Sequence, residues 1–150
     1  MDERYRATDF VYARQSADAL TGTILELVEK EFPDAVKNAR SHEDLQPIFL
    51  HIKGIVPRLQ AAYPISFQNA IPAIDFCETM GVLVRRDMAR FVDIEALFGG
   101  WIQGLYLTME GRIQRLRDQH EDVRVYENFS YLGKKCMEQR WRDQNNERAT

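Results

Sequence analysis

"ALFGGWIQGLYLTMEGRI", residues 96–113, decides how this chain is read, because it sets four glycines inside an otherwise apolar, helix-like run. A phosphate loop of the G-x-G-x-x-G type needs a different spacing and a preceding strand, and GGWIQG has neither. A membrane span needs roughly 18 uninterrupted apolar residues, and Gln103 and Glu110 interrupt this run. What remains is a helix with glycines along one side. At about 100° per residue, Gly100, Gly104 and Gly111 fall within roughly 40° of one another, with Leu107 among them. Ile94, Leu97, Phe98, Trp101, Leu105, Met109 and Leu116 cluster about 140° away, and Gln103, Glu110, Gln114 and Arg117 take the remaining side. The helix is therefore expected to present a bulky face and, beside it, a shallow groove of glycines. Each interior glycine costs roughly 1 kcal/mol relative to alanine. Three on one stripe imply close approach by another helix, from this chain or from a second one.

The same periodicity extends outward. Phe10, Ala13, Ala17, Leu20, Ile24 and Leu27 recur at alternating spacings of three and four, the seam of a coiled-coil-like helix. Thr8 is expected to cap it and Phe32–Pro33 to break it, with Pro33 opening a short second helix that ends near Arg40. Ser41 with Asp44 resembles a capping box, although Asp is shorter than the Glu or Gln that motif prefers. Pro47 and Pro57 each remove a helix hydrogen bond, which predicts a helix of about three turns and a break near Gly54–Pro57.

Ser66 is expected to cap the helix FQNAIPAIDFCETM, kinked at Pro72 and stopped by Gly81. A single turn from Asp87 to Phe91 precedes the long helix, which Asp93 caps and which runs from Ile94 to about Gln119. A last helix from about Val125 to Trp141 buries Val125, Phe129, Leu132 and Cys136, and the polar RDQNNERAT frays as a tail from about residue 142. GVLVRR is the best strand alternative and has no partner; no hairpin turn signal accompanies it. The expected fold is all-α, a single domain over residues 1–150. It is a compact bundle of about five or six helices around a long central one.

Charge and chemistry narrow the function. Twenty basic against twenty-three acidic residues give a formal net charge of −3, too balanced to advertise nucleic acid as a partner. Arg112, Arg115, Arg124, Lys134 and Lys135 form a candidate basic patch with Tyr126 and Tyr131, but Asp118, Glu121, Asp122 and Glu127 dilute it into a salt-bridged surface. MDERYRATDF lacks the apolar stretch of a signal peptide, so a cytoplasmic setting is expected, with no membrane partner. Cys77 and Cys136 stand far apart without a CxxC pairing and read as reduced, buried thiols. His42, His51 and His120 form no zinc motif, and His51 reads as a core or boundary histidine. Asp75 and Glu78, three apart in an apolar stretch, are the one carboxylate pair from which a catalytic or metal site could be built.

The run from Ile71 to Asp118, with VYENFSYL at residues 125–132, resembles a family of short helical proteins of bacteria and their phages classed as a domain of unknown function. The matching features are Asp75 to Gly81, an acid-led long helix containing Trp101, Arg112 with Arg115, and Tyr126 to Leu132. The resemblance implies an all-helical fold and a bacterial or phage setting, and it transfers no active site. Many members begin with a membrane helix, which this sequence does not show.

The expected function is a non-enzymatic helical protein–protein interaction module, self-associating as a homodimer and using no metal or other cofactor. Gly100, Trp101, Gly104, Leu107 and Gly111 of the long helix, with Leu20 and Ile24 of the first, are the candidate seam. Trp101 and Trp141 are candidate aromatic anchors. One alternative is a small phage or bacterial inhibitor that masks a larger machine such as a defence system, although −3 is far weaker than nucleic-acid mimicry calls for. The other is a metal-dependent helical enzyme using Asp75, Glu78 and a histidine.

Overall fold

Apolar residues at helical spacing leave each segment one face to bury, and the helices meet along those faces. The computed structural model describes residues 3–150, and side chains from Phe10 onward. Among these residues six helices follow in order: α1 (Glu3–Glu31), α2 (Ala35–Asn38), α3 (His42–Ala62), α4 (Pro64–Arg85), α5 (Phe91–His120) and α6 (Glu127–Ala149). Among the described residues there is no strand, and no helix is long and apolar enough to cross a membrane. α4 packs between α1 and α6, α5 packs between α3 and α6, and α1 also reaches α5, so the five long helices close around one apolar core. Its largest fully buried side chains include Leu20, Ile24, Phe49, Ile52, Tyr106, Met109 and Phe129.

Several boundaries differ from the sequence expectation for physical reasons. α1 begins at Glu3, so Thr8 lies inside the helix rather than at its cap. Ser41 Oγ does accept from Asp44 N–H at 3.3 Å, while the short Asp44 side chain turns back to Arg40 N–H at 2.8 Å. The break expected near Gly54–Pro57 is absent, and α3 runs through both prolines. At Pro57 the missing N–H would free Lys53 O, and Arg115 Nη1 donates to that carbonyl at 3.5 Å.

Ser66 does not open α4, which starts at Pro64, and Gly81 does not stop it. GVLVRR is helical down to Arg85. Gly81 is glycine for another reason: a Cβ there would overlap the backbone carbonyl of Asn128 in α6. Asp93 lies in the first turn of α5 rather than at its cap, which is Arg90. Asp87, expected to begin a helical turn, instead takes a left-handed conformation in the α4–α5 link. The tail expected from about residue 142 continues as helix to Ala149, exposed along most of its length.

Cys77 and Cys136 are fully buried, and burial pushes both thiols up from 9.0 to about 12, with Cys136 adding to the effect on Cys77. They are core atoms rather than nucleophiles. Unfolding lets each thiol return to its ordinary value, so above pH 9 the unfolded chain releases protons that the folded chain keeps. Their contribution is fully present below pH 9.0 and is lost progressively as pH rises toward about 12. The two together should lower the unfolding free energy by about 3 kcal/mol between pH 8 and pH 10. Urea titrations at the two pH values measure it, and Cys77→Ala/Cys136→Ala should flatten the slope.

Candidate functional site

The glycine stripe of α5 divides along its length. A Cβ on Gly111 would meet Phe49 O at 2.5 Å and Lys53 N at 3.0 Å, so α3 lies directly against the helix there. A Cβ on Gly104 would meet Thr21 of α1 at 3.3 Å, and Leu107 is buried between them along the stripe. Thr21 and Thr108 also approach at 3.4 Å through their hydroxyls. A Cβ on Gly100 would meet no atom of the described residues within 4 Å. The stripe from Gly104 onward is thus occupied by this chain's own helices, and its start is open among the described residues. Leu20 and Ile24, the seam candidates on α1, are buried in this chain's own core.

The open end carries apolar surface. Leu97, assigned from its spacing to the bulky buried face, is instead 73% exposed, with Val92, Ala96 and Gly100 exposed around it. Its angular position explains this, since it lies only about 60° from Gly100 around the helix. Beside this strip Phe76 of α4 meets Phe10 of α1 at 4.9 Å, Phe98 at 5.7 Å and Trp101 at 6.2 Å. Arg14 sits 5.3 Å from the Trp101 ring centroid, a cation–π distance. The Trp101 indole N–H is buried without a hydrogen-bond partner among the described residues, although a buried Trp N–H usually finds one. Trp141, the other candidate anchor, is buried and packs on His42 at 4.9 Å.

Asp75 and Glu78 do come together with functional groups, but with those of α6 rather than with a histidine. Glu78 Oε2 accepts from Phe129 N–H at 2.6 Å and Oε1 from Asn128 Nδ2 at 2.8 Å, capping the N-terminus of α6 from across the bundle. Asp75 accepts from the Tyr126 hydroxyl at 2.9 Å. Burial, then the bond to Asp75, pushes the Tyr126 phenol up to about 12. Tyr126 is the residue before α6 and holds a left-handed backbone at φ 51, a strained position for a tyrosine that these bonds secure. No three His, Cys, Asp or Glu side chains gather as a metal site among the described residues.

Next to it lies an ion pair that the sequence reading missed. Glu110, assigned to the polar side of α5, is only 3% exposed. Ser130 Oγ donates to its Oε2 at 2.6 Å and Arg117 Nη1 to its Oε1 at 3.3 Å. Arg117 also donates to Ser130 Oγ at 2.8 Å and to Val125 O at 2.9 Å. Together these bonds tie the α5–α6 link to both helices. Both carboxylate oxygens of Glu110 are engaged in holding the two helices together. The i, i+7 spacing of Glu110 and Arg117 was its only sequence signal.

A cleft of about 440 Å³ opens between the end of α1 and the second half of α3, lined among others by His51, Arg58 and Tyr63. His51 packs edge-on against Phe32 at 5.3 Å and is half-buried, as a boundary histidine would be. Comparison with known proteins yields no matching family model, no matching curated protein and no matching solved structure.

Proposed function

We propose that this chain is a non-enzymatic helical interaction module that pairs with a second copy of itself through the first turns of α5. The observation that carries the reading is Leu97, exposed beside a Gly100 whose missing side chain leaves open space among the described residues. A lone exposed leucine is ordinary. This one lies beside exposed Val92, Ala96 and Gly100, with Asp93 exposed among them. Such a knob and hole are self-complementary. A two-fold axis across α5 sets Leu97 of one copy over Gly100 of the other, the isologous contact of a symmetric dimer. Burial of this strip contributes about 25 cal/mol per Å², and Trp101 is the kind of aromatic anchor on which interfaces depend.

Size-exclusion chromatography with light scattering, from low micromolar to a few hundred micromolar protein, should show a dimer at the upper end. Leu97→Glu should hold the chain as a monomer with an unchanged circular dichroism spectrum, because the side chain contributes little to the core. A wild-type chain that stays monomeric throughout contradicts the proposal.

A further inference from the structure

The cleft between α1 and α3 has a layered lining. Leu27, Ile55 and Leu59 make an apolar floor, half-buried or buried. Lys30, Glu31, Arg58 and Tyr63 line it as exposed residues. The face on α3 follows helical spacing, since His51, Ile55, Arg58 and Ala62 lie three or four residues apart. Neither Lys30 nor Arg58 forms an ion pair among the described residues, and the His51 ring has no hydrogen bond there. Two cations against one carboxylate leave the cleft positive in a chain of net charge −3. Lys30 has a structural role as well, because it lies in the last turn of α1, where a cation offsets the negative helix end. Arg58 is outside the last turn of α3 and has no such role.

We infer that this cleft binds a small amphiphilic anion, an apolar body on Leu27, Ile55 and Leu59 with its oxyanion held by Arg58 and Lys30. The volume lies within the range of small-molecule sites, which are mostly apolar with a few placed polar groups. Arg58 supplies a planar fork suited to a carboxylate or phosphate, and Lys30 a mobile point charge. His51 offers a ring nitrogen and Tyr63 a phenol to the same ligand. Glu31, the one acid on the rim, disfavours dianions more than monoanions.

The test uses the full chain and 1-anilinonaphthalene-8-sulfonate as a fluorescent probe, displaced by decanoate, decyl phosphate or decan-1-ol. One-to-one binding of the probe, displacement by decanoate and a weaker effect of the neutral alcohol are expected. Arg58→Gln should weaken decanoate by about tenfold or more, Ile55→Glu should abolish binding, and Leu97→Glu should leave it unchanged. The better competitor of decanoate and decyl phosphate identifies the headgroup, and either order supports an oxyanion site. Equal potency of decan-1-ol and decanoate, an Arg58→Gln chain that binds as the wild type, or no displacement at millimolar decanoate would each overturn the inference. Because the cleft and the α5 strip lie on different elements, failure here leaves the dimer test unaffected.

Discussion

Gly111→Ala is expected to lower the stability of the protein by about 3 kcal/mol, the upper range of overpacking, and its melting midpoint by roughly 10 °C. The added methyl would meet backbone atoms of α3, Phe49 O at 2.5 Å and Lys53 N at 3.0 Å. Backbone cannot rotate aside as a side chain can, so the two helices must separate. Gly100→Ala is the opposite case. Its methyl meets no atom of the described residues within 4 Å, so the gain in helix propensity outweighs any packing cost and stabilises the chain by up to about 1 kcal/mol. Thermal melts followed by circular dichroism check both. Equal midpoints for the two variants would mean that α3 does not lie on α5 as described.

Glu110→Ala and Arg117→Ala should each cost about 3–5 kcal/mol, because each leaves the other charge without its partner in a largely dry site. The side chains of Arg117 and Glu110 are 18% and 4% exposed. Glu110→Gln should cost less, since the amide oxygen still accepts from Ser130. Glu110→Met/Arg117→Met, which removes both charges, should be more stable than either alanine variant. Urea denaturation of the set gives the coupling directly. Additive single effects would show that the pair acts independently.

The helical class of the chain was legible from one sequence because spacing alone decides it. Ala13, Ala17, Leu20 and Ile24 are all buried as their spacing requires. What misled local reading was chemistry completed by distant residues. Pro57 looks like a break until Arg115, remote in sequence, supplies a donor to Lys53 O. Gly81 looks like a helix stop because glycine often is one, while its true constraint is the Asn128 backbone. Asp75 and Glu78 read as possible acid–base residues, yet Asp75 holds the Tyr126 hydroxyl and Glu78 caps α6 at Asn128 and Phe129.

The candidate interaction residues divide the same way. Angular position grouped Gly100, Gly104 and Gly111 but could not tell which neighbour covers each. The cleft at Arg58 was invisible for a related reason, because its second wall comes from α1.

The proposed dimer is tested most directly by cross-linking at its centre. Leu97→Cys and Gly100→Cys, made in separate chains and mixed, bring together two thiols that the proposed contact sets one over the other, and Cys77 and Cys136 are too deeply buried to compete. Mild oxidation of the mixture at micromolar concentration should give a disulfide-linked heterodimer faster than either variant links to itself. Val123→Cys, a cysteine at an 81% exposed position in the α5–α6 link, replaces Leu97→Cys as the control for random collision. Cross-linking of the mixture no faster than that of this control would contradict the account.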